Sequence, residues 1–191
     1  MLLIGITGLA GSGKSTVAEY LRRRFGFEHL TLSDILIEEA IRRGLLNDRF
    51  NKNSEEVKLI LSKLGNELRR KSGKNEIVAL KMVEKIKKLN LERVCVDGFR
   101  SPEEVKVFKE TFDNFFLILV DASKEIRFKR RKKLDPNLDL KELEEREKLD
   151  LENKGLKKVL DMADFKLDNN GSLEELYSQI EKLMNKLLEK T

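Results

Sequence analysis

Met1-Leu-Leu-Ile-Gly-Ile-Thr7 runs straight into Gly8-Leu-Ala-Gly-Ser-Gly-Lys-Ser-Thr16, and this junction decides the fold. Gly8, Gly13, Lys14 and Ser15 fill the spacing G-x-x-x-x-G-K-[ST]. Leu2, Leu3, Ile4 and Ile6 predict a buried strand before the motif. Val17, Ala18, Leu21 and Phe25 recur at helical spacing behind it. Glycines let consecutive backbone N–H groups turn inward toward an anion without a Cβ in the way. The first turn of the following helix adds unsatisfied donors and the positive end of its dipole. The segment Gly8, Ala10, Gly11, Ser12, Gly13, Lys14, Ser15 and Thr16 therefore reads as a cradle for nucleotide phosphates. Lys14 would reach the β- and γ-phosphates, and the Ser15 hydroxyl would hold Mg²⁺.

Outward from that junction, strand and helix signals alternate to the end of the chain, which predicts a parallel sheet between two helical layers. Strands are expected at 2–7, 28–32, 93–97, 115–121 and 165–168. Helices are expected at 14–25, 34–43, 54–72, 75–89, 102–111, 123–133, 141–153, 156–162 and 173–189. Ser101-Pro102-Glu103-Glu104 is a helix start, with a cap residue, proline in the first turn and acids at the positive end. Ser172 and Glu175 form a capping box for the last helix. Two regions exceed what simple crossovers need. Residues 34–90 hold several helices, and 130–155 form a charged, weakly apolar stretch; both suit segments that close over a substrate, with solvated surface helices as the alternative.

The 191 residues suffice for one domain, 1–191, with a full core. No stretch approaches the roughly 18 apolar residues that cross a bilayer, and the seven-residue opening run lacks a basic leader. One cysteine permits no intrachain disulfide, which fits a reducing cytoplasm. Cys95 lies in an apolar strand and reads as a core residue. The lone histidine, His29, has no companions at ligand spacing for zinc. Charged residues make up 38% of the chain, but a net charge of +5 is too small and dispersed to argue for nucleic acid. It suits a protein that handles phosphorylated small molecules.

Beyond the cradle, the sharpest feature is Val94-Cys-Val-Asp97-Gly98-Phe99-Arg100 at a strand's carboxyl end, where sites form in parallel α/β sheets. Asp97 would hold Mg²⁺ directly or through water. Gly98 would turn the chain, and Arg100 would bring a guanidinium fork to an acceptor phosphate.

The phosphate loop, Thr31-Leu-Ser-Asp34, Asp97-Gly-Phe-Arg100 and the Arg127-x-x-x-Arg131 pair together resemble the P-loop nucleoside monophosphate kinase superfamily. The likeness is greatest to a small adenylate kinase-related, dephospho-CoA kinase-like group, and it runs from Met1 to Asn169-Asn-Gly-Ser-Leu-Glu-Glu-Leu176. It implies a three-layer αβα fold, a five-stranded parallel sheet of order 2-3-1-4-5, a helical acceptor-binding insertion and a short lid. By the same resemblance Ser33 and Asp34, at the end of the second strand, contact the acceptor, and Asp34 prepares an attacking hydroxyl. The acceptor-gripping arginine of monophosphate kinases is missing at Ile37, and Arg69 would replace it. Arg127 and Arg131 match lid arginines, one on the base and one on the transferring phosphoryl group. For Arg130, Lys132 and Lys133 a solvated basic face stays the alternative. Residues 169–172, with Asn170 among the nucleotide contacts, fall where the family touches adenine.

These readings lead to an ATP- and Mg²⁺-dependent phosphotransferase acting on a nucleoside or deoxynucleoside monophosphate, with dephospho-CoA as the rival acceptor. A P-loop ATPase and a nucleic-acid-binding protein are the other classes. A monomer or homodimer in the cytoplasm is expected, with neither membrane nor nucleic acid as partner.

Overall fold

The computed structural model describes residues 1–189 apart from Asp48, Asn53 and Lys154. Asp48 and Asn53 of the expected 34–90 insertion, Lys154 of the expected 130–155 lid, and the last two residues of the expected 1–191 domain lie outside the described residues. Five strands, β1 (Leu2–Thr7), β2 (Glu28–Thr31), β3 (Arg93–Asp97), β4 (Phe115–Asp121) and β5 (Phe165–Asp168), pair in parallel in the order β2-β3-β1-β4-β5. Among the described residues the helices are α1 (Lys14–Phe25), α2 (Leu32–Arg42), α3 (Glu55–Ser72), α4 (Ile77–Leu89), α5 (Pro102–Thr111), α6 (Lys124–Leu134), α7 (Leu140–Asn153), α8 (Leu156–Asp161) and α9 (Leu173–Leu188). The order is the expected 2-3-1-4-5. The outer strands β2 and β5 are four residues each.

The period-2 alternation of the strands builds two cores, one on each face of the sheet. Leu3, Val94, Val96 and Leu117 point to one face and pack with Met82, Ile86, Val105 and Phe108 of α4 and α5. Leu2, Ile4, Ile6, Cys95, Ile118 and Leu167 point to the other and pack with Val17, Leu21, Leu176 and Ile180 of α1 and α9. Cys95 is fully buried, and burial together with nearby Asp97 pushes its thiol up to about 12. That is a core residue, inert as a nucleophile. A third, smaller core joins α2 to α3 through Ile37, Ala40, Val57, Leu61 and Leu64. The expected insertion therefore divides. The α2–α3 pair has an interior of its own, whereas α4 is part of the sheet's helical layer.

One boundary differs from expectation in a way that matters for the site. The second strand ends at Thr31 and α2 begins at Leu32, so Ser33 and Asp34 lie in the first turn of a helix and not at a strand end. The cause is local: Asp34, three residues after Thr31, accepts from the Thr31 N–H at 2.6 Å and from its hydroxyl at 2.7 Å. That side chain nucleates the turn, a cap worth about 1 kcal/mol.

Candidate active site

The phosphate loop closes where β1 meets α1. Gly8, Gly11 and Gly13 all have positive φ, at 148°, 81° and 106°. The space each would need for a side chain is already taken. A Cβ on Gly8 would stand 2.4 Å from the Val120 carbonyl oxygen, one on Gly11 2.7 Å from that of Arg127, and one on Gly13 2.2 Å from Asn169 Nδ2. Among the described residues the N–H groups of Gly11, Gly13, Lys14 and Ser15 meet no protein acceptor. The Ser12 hydroxyl is buried without a partner. Lys14 donates to the Gly8 and Leu9 carbonyls at 2.8 and 3.2 Å. Burial lowers its pKa and Asp97 pulls it back up, while Arg127, Arg100 and Arg131 lower it further. Four of the expected residues thus share the field of one ammonium group at the carboxyl ends of β1 and β3.

On the α6 side of the loop the structure separates three arginines that occupy one stretch of that helix. Arg127 is buried, 4% exposed, and its Nε donates to the Ala122 carbonyl at 3.1 Å. Its Nη1 reaches the Ala10 carbonyl at 3.2 Å and also Glu147 of α7; Nη2 binds Glu147 at 2.8 Å. Four of its five N–H donors are taken by protein. Arg131 lies one turn on, its stem packed against Gly11, and its buried Nε has no partner. Arg130 turns to the loop after β5. Its Nη2 donates to the Asn169 carbonyl at 2.9 Å, and its Nη1 lies 3.5 Å from the Ser12 carbonyl. Asn169, 3% exposed, donates from Nδ2 to the same Ser12 carbonyl at 2.6 Å. Asn170 is directed elsewhere: its Oδ1 accepts from the Ser123 N–H, the cap of α6, at 2.7 Å.

On the opposite side, Lys52 donates to Asp34 at 3.0 Å and to the Thr31 hydroxyl at 3.2 Å. Burial would raise the Asp34 pKa, but the Thr31 hydroxyl and N–H and Lys52 outweigh it, holding the carboxyl below its usual range. Ser33 shares the cluster through the Thr31 hydroxyl at 2.8 Å. Arg69, in the last turn of α3, donates to the Asn75 carbonyl at 3.1 Å and stands 3.6 Å from Glu104. Glu104, 2% exposed, accepts from the Arg100 N–H at 2.8 Å. Burial raises its pKa, opposed by the Arg100 N–H and Arg69. The Arg100 side chain is exposed and has no hydrogen bond or ion pair among the described residues. Asp97 faces His29 at 3.2 Å, and Gly98 turns the chain after it with φ of 92°.

The structure therefore gathers Lys14, Asp97, Arg100, Arg127 and Arg131, and places Ser33 and Asp34 with Lys52. Arg69 instead joins Glu104. Sequence reading missed Lys52, Glu104 and Glu147, and left Arg130 open. For Glu104 a signal existed, since Ser101-Pro-Glu-Glu104 has capping-box spacing. Lys52 and Glu147 belong to surface-like charged runs with no pattern to mark them. Hard oxygen donors suit Mg²⁺, and the Ser15 hydroxyl and Asp97 carboxylate are of that kind. No group of three or more His, Cys, Asp or Glu side chains converges on a metal-sized site among the described residues. No helix among them is long and apolar enough to cross a membrane.

Comparison with known proteins agrees with this architecture. The chain superposes on the crystal structure of TT1252 from Thermus thermophilus with a TM-score of 0.64 and 23% identity, covering 97% of both chains. It superposes on shikimate kinase from Acinetobacter baumannii with a TM-score of 0.59 and 15% identity, covering 100% of this chain and 95% of that one. The fold is that of the P-loop kinases. A family model described as AAA domain matches residues 7–150. A UPF0200/UPF0201 protein of Archaeoglobus fulgidus is 38% identical over 98% of this chain, which spans only 56% of that relative's length. UPF0200 protein TK1334 of Thermococcus kodakarensis is 33% identical over 99% of this chain and its own full length. With most of its length inside the AAA-domain family and relatives of this identity across nearly all of it, the chain belongs to the UPF0200 family of P-loop proteins.

Proposed function

We propose that this protein transfers the terminal phosphoryl group of Mg²⁺–ATP to a small phosphorylated acceptor, a nucleoside or deoxynucleoside monophosphate. One observation carries the reading: Lys14 folds over the loop, Arg127 reaches the Ala10 carbonyl, Arg131 packs on Gly11 and Asp97 lies beside Ile6 in the sheet, all next to backbone N–H groups without protein acceptors among the described residues. Phosphoryl transfer asks little covalent chemistry of a protein and much alignment and charge neutralisation.

Gly8, Ala10, Gly11, Ser12, Gly13, Lys14, Ser15 and Thr16 line the donor phosphates. Lys14 exchanges the carbonyls of Gly8 and Leu9 for phosphate oxygens. The Ser15 hydroxyl and Asp97 carboxylate would hold Mg²⁺, which when bound neutralises phosphate charge. Of the lid pair, Arg131 has donors to spare and meets the charge that develops on the moving group, where fixed cations count most. Arg127, its donors occupied, keeps the loop and lid in register. Arg100 and, across Glu104, Arg69 supply guanidinium groups to the acceptor phosphate, beside the turn at Gly98.

A second reading, with dephospho-CoA as acceptor, is favoured by the first turn of α2. Asp34 is an ionised hydrogen-bond acceptor there, suited to orienting an acceptor hydroxyl, and Ile37 is buried in the α2–α3 core and offers no cation. Ser33 adds a hydroxyl beside it. The deciding experiment offers labelled Mg²⁺–ATP with AMP, CMP, dCMP, UMP, GMP, TMP and dephospho-CoA. Labelled nucleoside diphosphate supports the first reading and labelled coenzyme A the second. Release of free phosphate alone would sink both in favour of an ATPase.

A further inference from the structure

We infer that Asn169 and Arg130 form a clamp on the Ser12 carbonyl that aims the phosphate loop, a role that rests on the donor-site reading above. Two donors from different parts of the chain converge on one oxygen. Asn169 Nδ2, from the loop between β5 and α9, lies 2.6 Å from it, and Arg130 Nη1, from α6, lies 3.5 Å from it. The clamp closes on itself, because Arg130 Nη2 also donates to the Asn169 backbone oxygen at 2.9 Å and to its side-chain Oδ1 at 3.3 Å. Both polar atoms of a buried amide are thereby used, so its orientation is fixed.

The consequence follows from peptide planarity. The Ser12 carbonyl and the Gly13 N–H belong to one trans peptide unit and point in opposite directions. Pinning the oxygen outward, toward Asn169, turns the Gly13 N–H the other way, and that N–H has no protein acceptor among the described residues. Gly13 completes the fit. With φ at 106° its missing Cβ would lie 2.2 Å from Asn169 Nδ2, so the amide occupies the space that a side chain there would fill. Asn169 is thus a positioning residue for the triphosphate rather than a contact of the base, and Arg130 steadies it.

The test separates those two roles by removing the base from the ligand. Calorimetric titration with Mg²⁺–ATP and with Mg²⁺–tripolyphosphate is compared for wild type, Asn169→Ala, Asn169→Leu and Arg130→Ala. Leucine keeps the branched skeleton of asparagine and lacks its donor. Loss of the clamp loosens ATP and tripolyphosphate by the same factor, about tenfold for both Asn169 variants and about threefold for Arg130→Ala. Weakened ATP with unchanged tripolyphosphate overturns the clamp and makes Asn169 a base contact. Unchanged binding of both ligands in folded variants overturns it as well. Should the Asn169 variants fail to fold, the partly exposed Arg130 gives the same comparison. Wild-type protein that takes up neither ligand brings down the donor-site reading itself, a result distinct from normal uptake with insensitive variants.

Discussion

The proposed donor and acceptor sides of the site are built in different ways. The donor side is built around one continuous stretch. Nine consecutive residues form the cradle, and their neighbours, Arg127, Arg130 and Asn169, grip its backbone oxygens at Ala10 and Ser12. The acceptor side has no such stretch and consists of separate side chains: Asp34 with Lys52, Arg69 with Glu104, and Arg100 alone. A backbone cradle is specified by glycine spacing and tolerates little change. A surface of separate cations can exchange members while keeping its charge.

The largest test of that contrast is Lys14→Ala, expected to lower kcat/KM roughly a thousandfold with every acceptor. Loss confined to one acceptor would break the division. Next come the two lid arginines. Arg131→Ala should lower kcat about a hundredfold while urea unfolding stays at the wild-type midpoint. Arg127→Ala should instead cost about 3 kcal/mol of stability, because Glu147 loses a largely buried partner. Equal kinetic losses with equal stability would erase the distinction. Smaller again is Arg100→Ala, which should raise the acceptor KM about tenfold while leaving the KM for ATP within about twofold. A matching rise for ATP would move Arg100 to the donor side.

The smallest effect concerns Glu104 and has a definite sign. Its pKa is raised in the folded protein, so the native state binds this proton more tightly than the unfolded chain does. Glu104 therefore weighs against stability increasingly as pH rises through the ordinary carboxylate range, about 4, toward its raised value. Glutamine has no such dependence and still offers an oxygen to the Arg100 N–H. The Tm of Glu104→Gln, measured against wild type, should improve between about pH 4 and pH 7. A constant or falling difference would mean that Arg69 fully compensates the buried carboxylate.

Much of the fold was legible because its signals are short-range. Continuous apolar runs in Leu2–Thr7 and Phe115–Asp121, caps at Ser101 and Ser172, and the glycines of the loop each act within a few residues. The error at Ser33 and Asp34 has the same origin: Thr31 and Asp34 satisfy one another locally, and an acid read as a substrate contact was also a helix cap. Arg127 and Arg131 stand out as a pair at i, i+4, yet spacing alone carries no information on which guanidinium is already saturated. That depends on Glu147, twenty residues on in another helix. Lys52 and Glu104 share the difficulty, for their partners come from elements brought together only by packing.

The brevity of the sheet's flanks has a consequence for many copies of this molecule in one place. Glu28–Thr31 and Phe165–Asp168 are only four residues long, their last residues are already bonded to side chains, Thr31 N–H to Asp34 and both backbone groups of Asp168 to Gln179, and each strand carries a charge, Glu28 on one flank and Lys166 on the other. A strand from a second molecule finds too little template to dock against and must bring a charge to do so. Edge-to-edge growth into fibres is thereby blunted, even though the interior of the same sheet is largely apolar.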